Sequence, residues 1–170
     1  MIKIEEIIRH LTGNAEAIRS LVLTISDEQA QWKPDPQTWS MKEVMEHVYN
    51  EERLDFRKHL KELLSEPPQA WGEFRHEEYI SFESCRQSME GFLGERGASI
   101  AWLKTLEFPN WEAASQASFG PGDVLTLRAG DVLASWVAHD FLHLRQMIEL
   151  GFAWNEKQVS PFSVQYAGGW

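Results

Sequence analysis

The stretch that decides the fold is Val132–Leu150, which reads VLASWVAHDFLHLRQMIEL. Its apolar residues lie nearly all the way round a helix instead of along one side, and a helix with that pattern is expected to be the most buried one of its domain. We therefore predict a central helix that is capped at Thr126, runs to Leu150 and stops at Gly151. The segment that follows, residues 152–170, has no clear period and is predicted to be an irregular tail.

Three further segments have apolar residues at spacings of three and four, which is typical of amphipathic helices. The first helix is predicted over Ile2–Thr24. The second begins at Ser40, because Ser40 followed three residues later by Glu43 is a capping-box signature, and it continues to about Ser65. The third is predicted over Ser81–Leu106, where several glycines favour a kink.

Four long helical patterns and one long connection, at Glu66–Tyr79, favour an all-α fold, namely a four-helix bundle. No segment has the clear alternation of a strand, although Val124–Leu127 is compatible with a short extended piece. The length of 170 residues predicts one domain over residues 1–170, with a helical core over about residues 2–151.

Composition excludes several classes of partner and site. Lysine and arginine number 16 against 26 aspartates and glutamates, which gives a formal charge of −10. That charge argues against binding to nucleic acid and against docking on an anionic membrane.

A single cysteine, Cys85, excludes an intrachain disulfide and a cysteine-rich zinc site. No stretch approaches the roughly 18 apolar residues of a membrane span and no secretory signal begins the chain, so we expect a cytoplasmic protein.

Two histidines in the central helix point to metal chemistry. His139 and His143 are four residues apart, so both imidazoles project from one side of the helix. If the second and fourth helices run antiparallel with level ends, His47 lies about 10 Å and His143 about 12 Å from the same end of the bundle. Three neutral imidazoles at similar depth would bind a divalent metal and leave positions open for water or substrate. The alternatives are polar residues on a partly wet helix face and a core histidine with satisfied hydrogen bonds.

Two motifs occur together in the chain, Trp39-Ser40-x-x-Glu43-Val44-x-x-His47-Val48 and His139-Asp140-x-x-His143-x-x-Gln146. This combination resembles the DinB-like (damage-inducible) superfamily of metal-dependent proteins, which includes bacterial thiol-dependent transferases. The resemblance implies an up-down-down-up bundle with its long crossover between helices 2 and 3, and often a homodimer. It also implies a three-histidine site for Ni²⁺ or Zn²⁺, with Fe, Mn or Co as further ions. By that resemblance the ligands are His47, His139 and His143.

Candidate catalytic residues lie one turn from the histidines. Gln146 follows His143 on the same face and could hold a ligand or bound water through its amide, or simply make a polar contact within the bundle. Glu43 and Glu51 bracket His47 at i−4 and i+4, and Glu51 is the better candidate to orient the ring because Glu43 already serves as a cap. For both glutamates, a solvated surface carboxylate is favoured over a role at the ring. Two tryptophans are expected to line the site: Trp39 and Trp136.

Other polar residues have simpler predictions. Cys85 is expected to be a small buried hydrophobe. Asp140 follows His139 by 100° of rotation and is expected to face elsewhere. The remaining histidines have charged neighbours and are predicted to lie on the surface: His10, His59 and His76.

Three functions fit these residues. The first is a metal-dependent enzyme of the thiol S-transferase type, in which the metal holds a low-molecular-weight thiol as its thiolate; the resemblance favours it. The second is a hydrolase that uses metal hydroxide, for which Glu51 is the available proton acceptor. The third is a non-catalytic bundle that binds a small molecule, with a structural metal or none.

Overall fold

The structure, a computed structural model, describes residues 2–69, 71, 78–120 and 123–168. Its elements in chain order are α1 (Ile4–Leu23), α2 (Asp27–Gln31), α3 (Met41–Glu51), a π-helical turn (Glu52–Phe56), α4 (Arg57–Leu63), α5 (Cys85–Leu103), β1 (Ala114–Gly120), β2 (Asp123–Arg128), α6 (Ala129–Val159) and a 3₁₀ turn (Gln165–Ala167). The predicted crossover at 66–79 includes residues 70 and 72–77, which lie outside the described residues. The up-down-down-up order of the helices therefore stays a prediction.

Four long helical segments pack together. Helix α5 packs against α1 and α3, and α6 packs against the same two helices. Most of the interior between them is apolar, and each large apolar side chain buried there contributes about 1.5–3 kcal/mol to stability. Among the described residues no helix has the length and apolarity needed to cross a membrane. The largest fully buried apolar side chains come from all four segments: Leu11, Ile18, Met45, Leu60, Phe92, Leu103, Trp136 and Met147.

The second helical segment begins where its cap predicts. The backbone N–H of Glu43 donates to Oγ of Ser40 at 3.2 Å, and the N–H of Ser40 donates to Oε2 of Glu43 at 2.7 Å. This reciprocal pair satisfies two N–H groups that the first turn of a helix leaves free. The segment then passes from α3 through the π-helical turn into α4 without leaving helical dihedral angles.

The expectation of no clear strand is wrong, because β1 and β2 form an antiparallel hairpin. The predicted extended piece lies within β2, and Thr126 pairs with Gln116 across the hairpin. Thr126 therefore cannot cap the last helix. That role falls to Arg128, whose backbone N–H donates to Oδ2 of Asp131 at 3.0 Å. The pairing of β2 with β1 decides where α6 begins, and the local sequence around a cap contains no information about that pairing.

The predicted stop at Gly151 is also wrong, since α6 continues to Val159 and the predicted irregular tail begins as helix. Contacts with another part of the chain accompany this extension. The ring of Trp154 meets Trp32 edge-on at 5.4 Å, and Nζ of Lys157 lies 5.3 Å from the centre of the Trp32 ring. Such tertiary contacts outweigh the small helix penalty of one glycine.

Helix α5 runs through the glycines that favoured a kink. Its first residue is Cys85 and its last is Leu103, within the predicted Ser81–Leu106. A Cβ atom at Gly91 would lie 2.9 Å from Cε2 of Tyr49, closer than real Cβ contacts. The missing side chain thus allows α5 and α3 to approach each other at this point.

A charged cluster lies in the middle of the bundle, where apolar residues were expected. The Arg96 side chain is 2% exposed. It donates to both oxygens of Asp140 at 2.7 and 2.8 Å, to Oε2 of Glu52 at 2.9 Å and to the carbonyl of Leu11 at 3.0 Å. Although burial disfavours its charge, these carboxylates raise the pKa of Arg96 above its ordinary range. One guanidinium therefore connects α1, the π-helical turn, α5 and α6.

We expect Arg96→Met to lower the free energy of unfolding by about 3–5 kcal/mol, because it leaves two buried carboxylates without their cation. Urea unfolding followed by circular dichroism measures the loss. Arg128→Met is the matched control, since the Arg128 side chain is 52% exposed beside Asp131 and should cause a much smaller loss. Equal losses in the two variants would show that the cluster does not stabilise the fold.

Candidate metal centre

The three predicted imidazoles converge at one point. Nε2 of His47 lies 3.2 Å from Nε2 of His139, and Nε2 of His143 lies 3.1 Å from the same atom. Their donor atoms all lie within 4.8 Å of one another. Helix α3 supplies the first ring, and the i, i+4 spacing on α6 places the other two on one side of that helix.

Burial keeps these rings neutral. It is the largest cause that lowers the pKa of His47, His139 and His143 below their ordinary range. The effect is strongest at His139, where burial and the two neighbouring imidazoles lower the pKa to about 3. Neutral imidazole is the form that binds a metal, because its ring nitrogen offers a lone pair.

Polar groups behind two of the rings favour the tautomer whose Nε2 lone pair points inward. Oε1 of Gln146 lies 2.9 Å from Nδ1 of His143. Since an amide oxygen only accepts, Nδ1 carries the hydrogen and Nε2 carries the lone pair. Oε1 of Glu51 lies 3.7 Å from Nδ1 of His47 and favours the same tautomer there. The Nε2 lone pairs of His47 and His143 both face Nε2 of His139, which carries at most one hydrogen and can donate it to only one of them. The other lone pair then faces a nitrogen without a hydrogen bond, and a cation bound between the three rings would remove this repulsion.

The carboxylate behind His47 is buried. The Glu51 residue is 8% exposed and accepts a hydrogen bond from the hydroxyl of Tyr79, so the alternative of a solvated surface carboxylate is wrong for this residue. Glu43 caps α3 and pairs with Nζ of Lys33 at 2.7 Å. Of the two candidates, the structure therefore places only Glu51 against the ring.

Aromatic rings enclose the imidazoles from two sides. Trp39 is 42% exposed and its ring centre lies 5.1 Å from that of His47, so it lines the outer edge as predicted. Phe56 lies 5.0 Å from the ring of His139 and is stacked on Trp136 at 5.8 Å. Trp136 is fully buried and its N–H donates to Glu52, so it supports the site from behind Phe56.

The other histidines differ from one another. His10 is exposed, as predicted, whereas His76 lies outside the described residues. The surface prediction for His59 is wrong, because this residue is 1% exposed. Its Nδ1 lies 2.7 Å from Oε2 of Glu62, and its ring is stacked on Trp71 at 4.0 Å. Glu62, one of the charged neighbours that suggested exposure, is in fact its hydrogen-bonding partner.

Two further predictions are confirmed, and several site residues were missed. Cys85 is buried, and Asp140 faces Arg96 instead of the imidazoles. The residues that sequence reasoning missed are held in place by the π-helical turn or by contacts between distant segments, and no local pattern in the sequence marks them. They are Glu52, Phe56, Tyr79 and Arg96.

Fold and site together define a class: a helical bundle with a three-imidazole centre between two of its helices. A model of the DinB superfamily matches residues 10–147, and the chain belongs to this superfamily. No curated protein matches the chain. Among solved structures, it is similar to YfiT from Bacillus subtilis, described as a probable metal-dependent hydrolase with an unusual four-helix bundle topology. The two are 16% identical, with a TM-score of 0.74 over 91% of each chain, which shows a shared fold.

The lowered pKa of His139 predicts how the metal-free protein responds to acid. Below the ordinary histidine pKa of 6.5 the unfolded chain takes up a proton that the folded chain refuses until about pH 3. Proton uptake then accompanies unfolding, so the free energy of unfolding falls as the pH is lowered. The loss is up to about 1.4 kcal/mol per pH unit for one such ring. Urea unfolding at pH 8 and pH 5 in the presence of EDTA measures this loss. His139→Leu should reduce it, and His10→Leu should not; identical pH dependence in all three proteins would contradict the assignment.

Proposed function

We propose that the protein is a metal-dependent hydrolase in which His47, His139 and His143 hold one divalent ion. The observation that carries the proposal is the convergence of three Nε2 atoms 3.1–3.2 Å from their neighbours. Two nitrogens bound to one zinc ion lie about 3.4 Å apart in tetrahedral geometry, and about 3.0 Å apart at adjacent octahedral positions. The two separations that involve His139 fall between these values, and all three donor atoms lie within 4.8 Å of one another, which supports a metal site.

The donor set also bears on which metal binds. Imidazole nitrogen suits Zn²⁺ and Ni²⁺, which we propose first, and it also accommodates Fe, Co or Mn. Three neutral ligands leave the charge of the ion uncompensated and leave part of its coordination sphere for water or substrate. A divalent ion bound there would act as a Lewis acid and lower the pKa of a coordinated water.

The surrounding residues have separate tasks. Gln146 fixes the tautomer and orientation of His143 through a hydrogen bond, and Glu51 orients His47 through its charge at 3.7 Å from Nδ1. Glu51 is also the carboxylate that we assign as the proton acceptor during hydrolysis. The hydroxyl of Tyr79 holds that carboxylate in place.

Hydrolysis is favoured over the other two functions by Glu51, which is buried against the site where a proton acceptor is needed. The similarity to YfiT supports the same choice. Thiol S-transfer needs a thiolate as an additional metal ligand, and no described residue points specifically to a thiol.

We further propose a small-molecule substrate, a cytoplasmic location and no nucleic-acid or membrane partner. The homodimer also stays a proposal, for which exposed Phe141, Leu142 and Ile148 on α6 offer an apolar face.

We expect His47→Ala, His139→Ala and His143→Ala each to lower Zn²⁺ affinity by more than about 100-fold. Gln146→Ala should lower it about 10–100-fold, the usual cost of losing a hydrogen bond behind a ligand. Competition with a chromophoric chelator at pH 7.5 measures these affinities. His10→Ala, a change at an exposed ring on α1, should bind as the wild type does. Similar losses in this control and the three ligand variants would contradict the proposed site.

We expect the Zn²⁺-loaded protein to hydrolyse activated aryl esters and to lose this activity on chelation. Glu51→Gln should lower kcat about 10²–10⁴-fold, because the amide cannot accept the proton. Its Zn²⁺ affinity should change far less than its kcat. Glu43→Gln is the matched control, since glutamine preserves the capping box.

The outcomes of this assay separate the three functions. Metal-dependent ester hydrolysis that depends on Glu51 supports the hydrolase. Transfer of a low-molecular-weight thiol to an electrophile, without hydrolysis, would replace it with the transferase. Tight metal binding without either reaction would leave the non-catalytic binding bundle.

A further inference from the structure

We propose that a cavity of about 270 Å³ beside the imidazoles binds an uncharged aromatic group of the substrate. The cavity lies between the π-helical turn, with Asp55 and Phe56, and the start of α6, with Val132 and Ser135. This inference rests on the proposed function and adds the chemical class of the substrate to it.

The cavity lies next to the three imidazoles. Along α6, Ser135 lies four residues before His139, so it is on the same side of the helix and about 6 Å away along its axis. Phe56 is shared by the two places, because it lines the cavity and its ring also lies 5.0 Å from that of His139. A ring bound in the cavity is therefore about one helical turn from the imidazoles, which is the distance that a short substituent spans.

The π-helical turn keeps three side chains of its helical segment on the side that faces α6. In an α-helix a residue four positions on is rotated about 40° past a full turn. In a π-helix, with its wider i→i+5 repeat, the same step falls about 30° short of a full turn. The step from His47 to Glu51 is α-helical and the step from Glu51 to Asp55 is π-helical, so the two rotations nearly cancel. All three side chains therefore face α6, with Asp55 at the cavity.

The lining selects a flat apolar group. Phe56 and Trp71 present aromatic rings, and Leu127 and Val132 present aliphatic side chains. Aromatic rings favour edge-to-face or offset contacts with another ring. A cavity of about 150 Å³ is sufficient for benzene, so this one accommodates a ring with a short substituent.

The polar groups at the cavity select an uncharged ligand. Asp131 accepts hydrogen bonds from Arg128 at 2.9 and 3.0 Å, so its charge is compensated. Burial and a hydrogen bond to Glu51 raise the pKa of Asp55 to about 8, so this carboxyl is protonated at neutral pH. No lysine or arginine is among the described residues that line the cavity. A cation therefore meets no free carboxylate and an anion meets no counter-charge. The O–H of Asp55 is donated to Glu51, so Asp55 can accept a hydrogen bond from a neutral hydroxyl group, and Ser135 can donate or accept one.

Three probes that share a phenyl ring and differ in the charge of its small substituent test the selection: benzyl alcohol, benzoate and benzylammonium. Ligand-observed NMR on EDTA-treated protein at pH 7 gives their affinities without any metal. We expect benzyl alcohol to bind most tightly, by about fivefold or more over either ion. Ser135→Leu, which fills the cavity from an exposed helix position, should weaken it at least about tenfold. Ala134→Leu adds a comparable volume at the adjacent exposed position outside the lining and should change it less than about twofold.

A second measurement tests whether the cavity serves the metal centre. With Co²⁺ bound, the proton signals of benzyl alcohol should broaden in the wild type and not in Ser135→Leu, whereas Zn²⁺ should cause no broadening. Tighter binding of either ion, equal effects of the two leucine variants, or binding without broadening by Co²⁺ would each overturn the inference. A protein that takes up no Co²⁺ would overturn the proposed function itself, and the metal-free arm distinguishes the two failures.

Discussion

The Arg96 guanidinium lies between two buried carboxylates, and the position of the His139 imidazole depends on this arrangement. Its bonds to Asp140 fix the rotation of α6, because a different rotation would take the buried Asp140 carboxylate away from its cation. His139 is the residue immediately before Asp140, so the same bonds determine where its imidazole lies. The bond to Glu52 likewise fixes the π-helical turn against α5.

Two adjacent carboxylates at this turn serve opposite sides of one helical segment. Glu52 faces the core and accepts from Arg96 and Trp136, whereas Glu51 faces the imidazoles and lies 3.7 Å from Nδ1 of His47. Neighbouring residues on a helix point about 100° apart, which is how one stretch of chain can support the core and the site together. The wider π-helical turn lets both requirements be met without breaking the helix.

The parts of this structure that could be predicted from the sequence are those with local causes. The cap at Ser40 is set within four residues, and the shared face of His139 and His143 follows from helix geometry alone. The extension of α6 past Gly151 depends on contacts with a distant tryptophan, so local helix signals do not reveal it. The two carboxylates that pair with Arg96, those of Glu52 and Asp140, each lie 44 residues away along the chain, one in each direction. No periodic pattern in the sequence extends that far.

In the proposed metal centre, three imidazoles from α3 and α6 surround one divalent ion and leave it an open position. X-ray absorption spectroscopy of the Zn²⁺-loaded protein can establish this arrangement, because the outer-shell scattering of imidazole reports how many rings are bound. We expect three imidazole nitrogens at about 2.0–2.1 Å and at least one further light-atom ligand from solvent. A sulfur shell at about 2.3 Å, or a spectrum that needs fewer than three imidazoles, would contradict it.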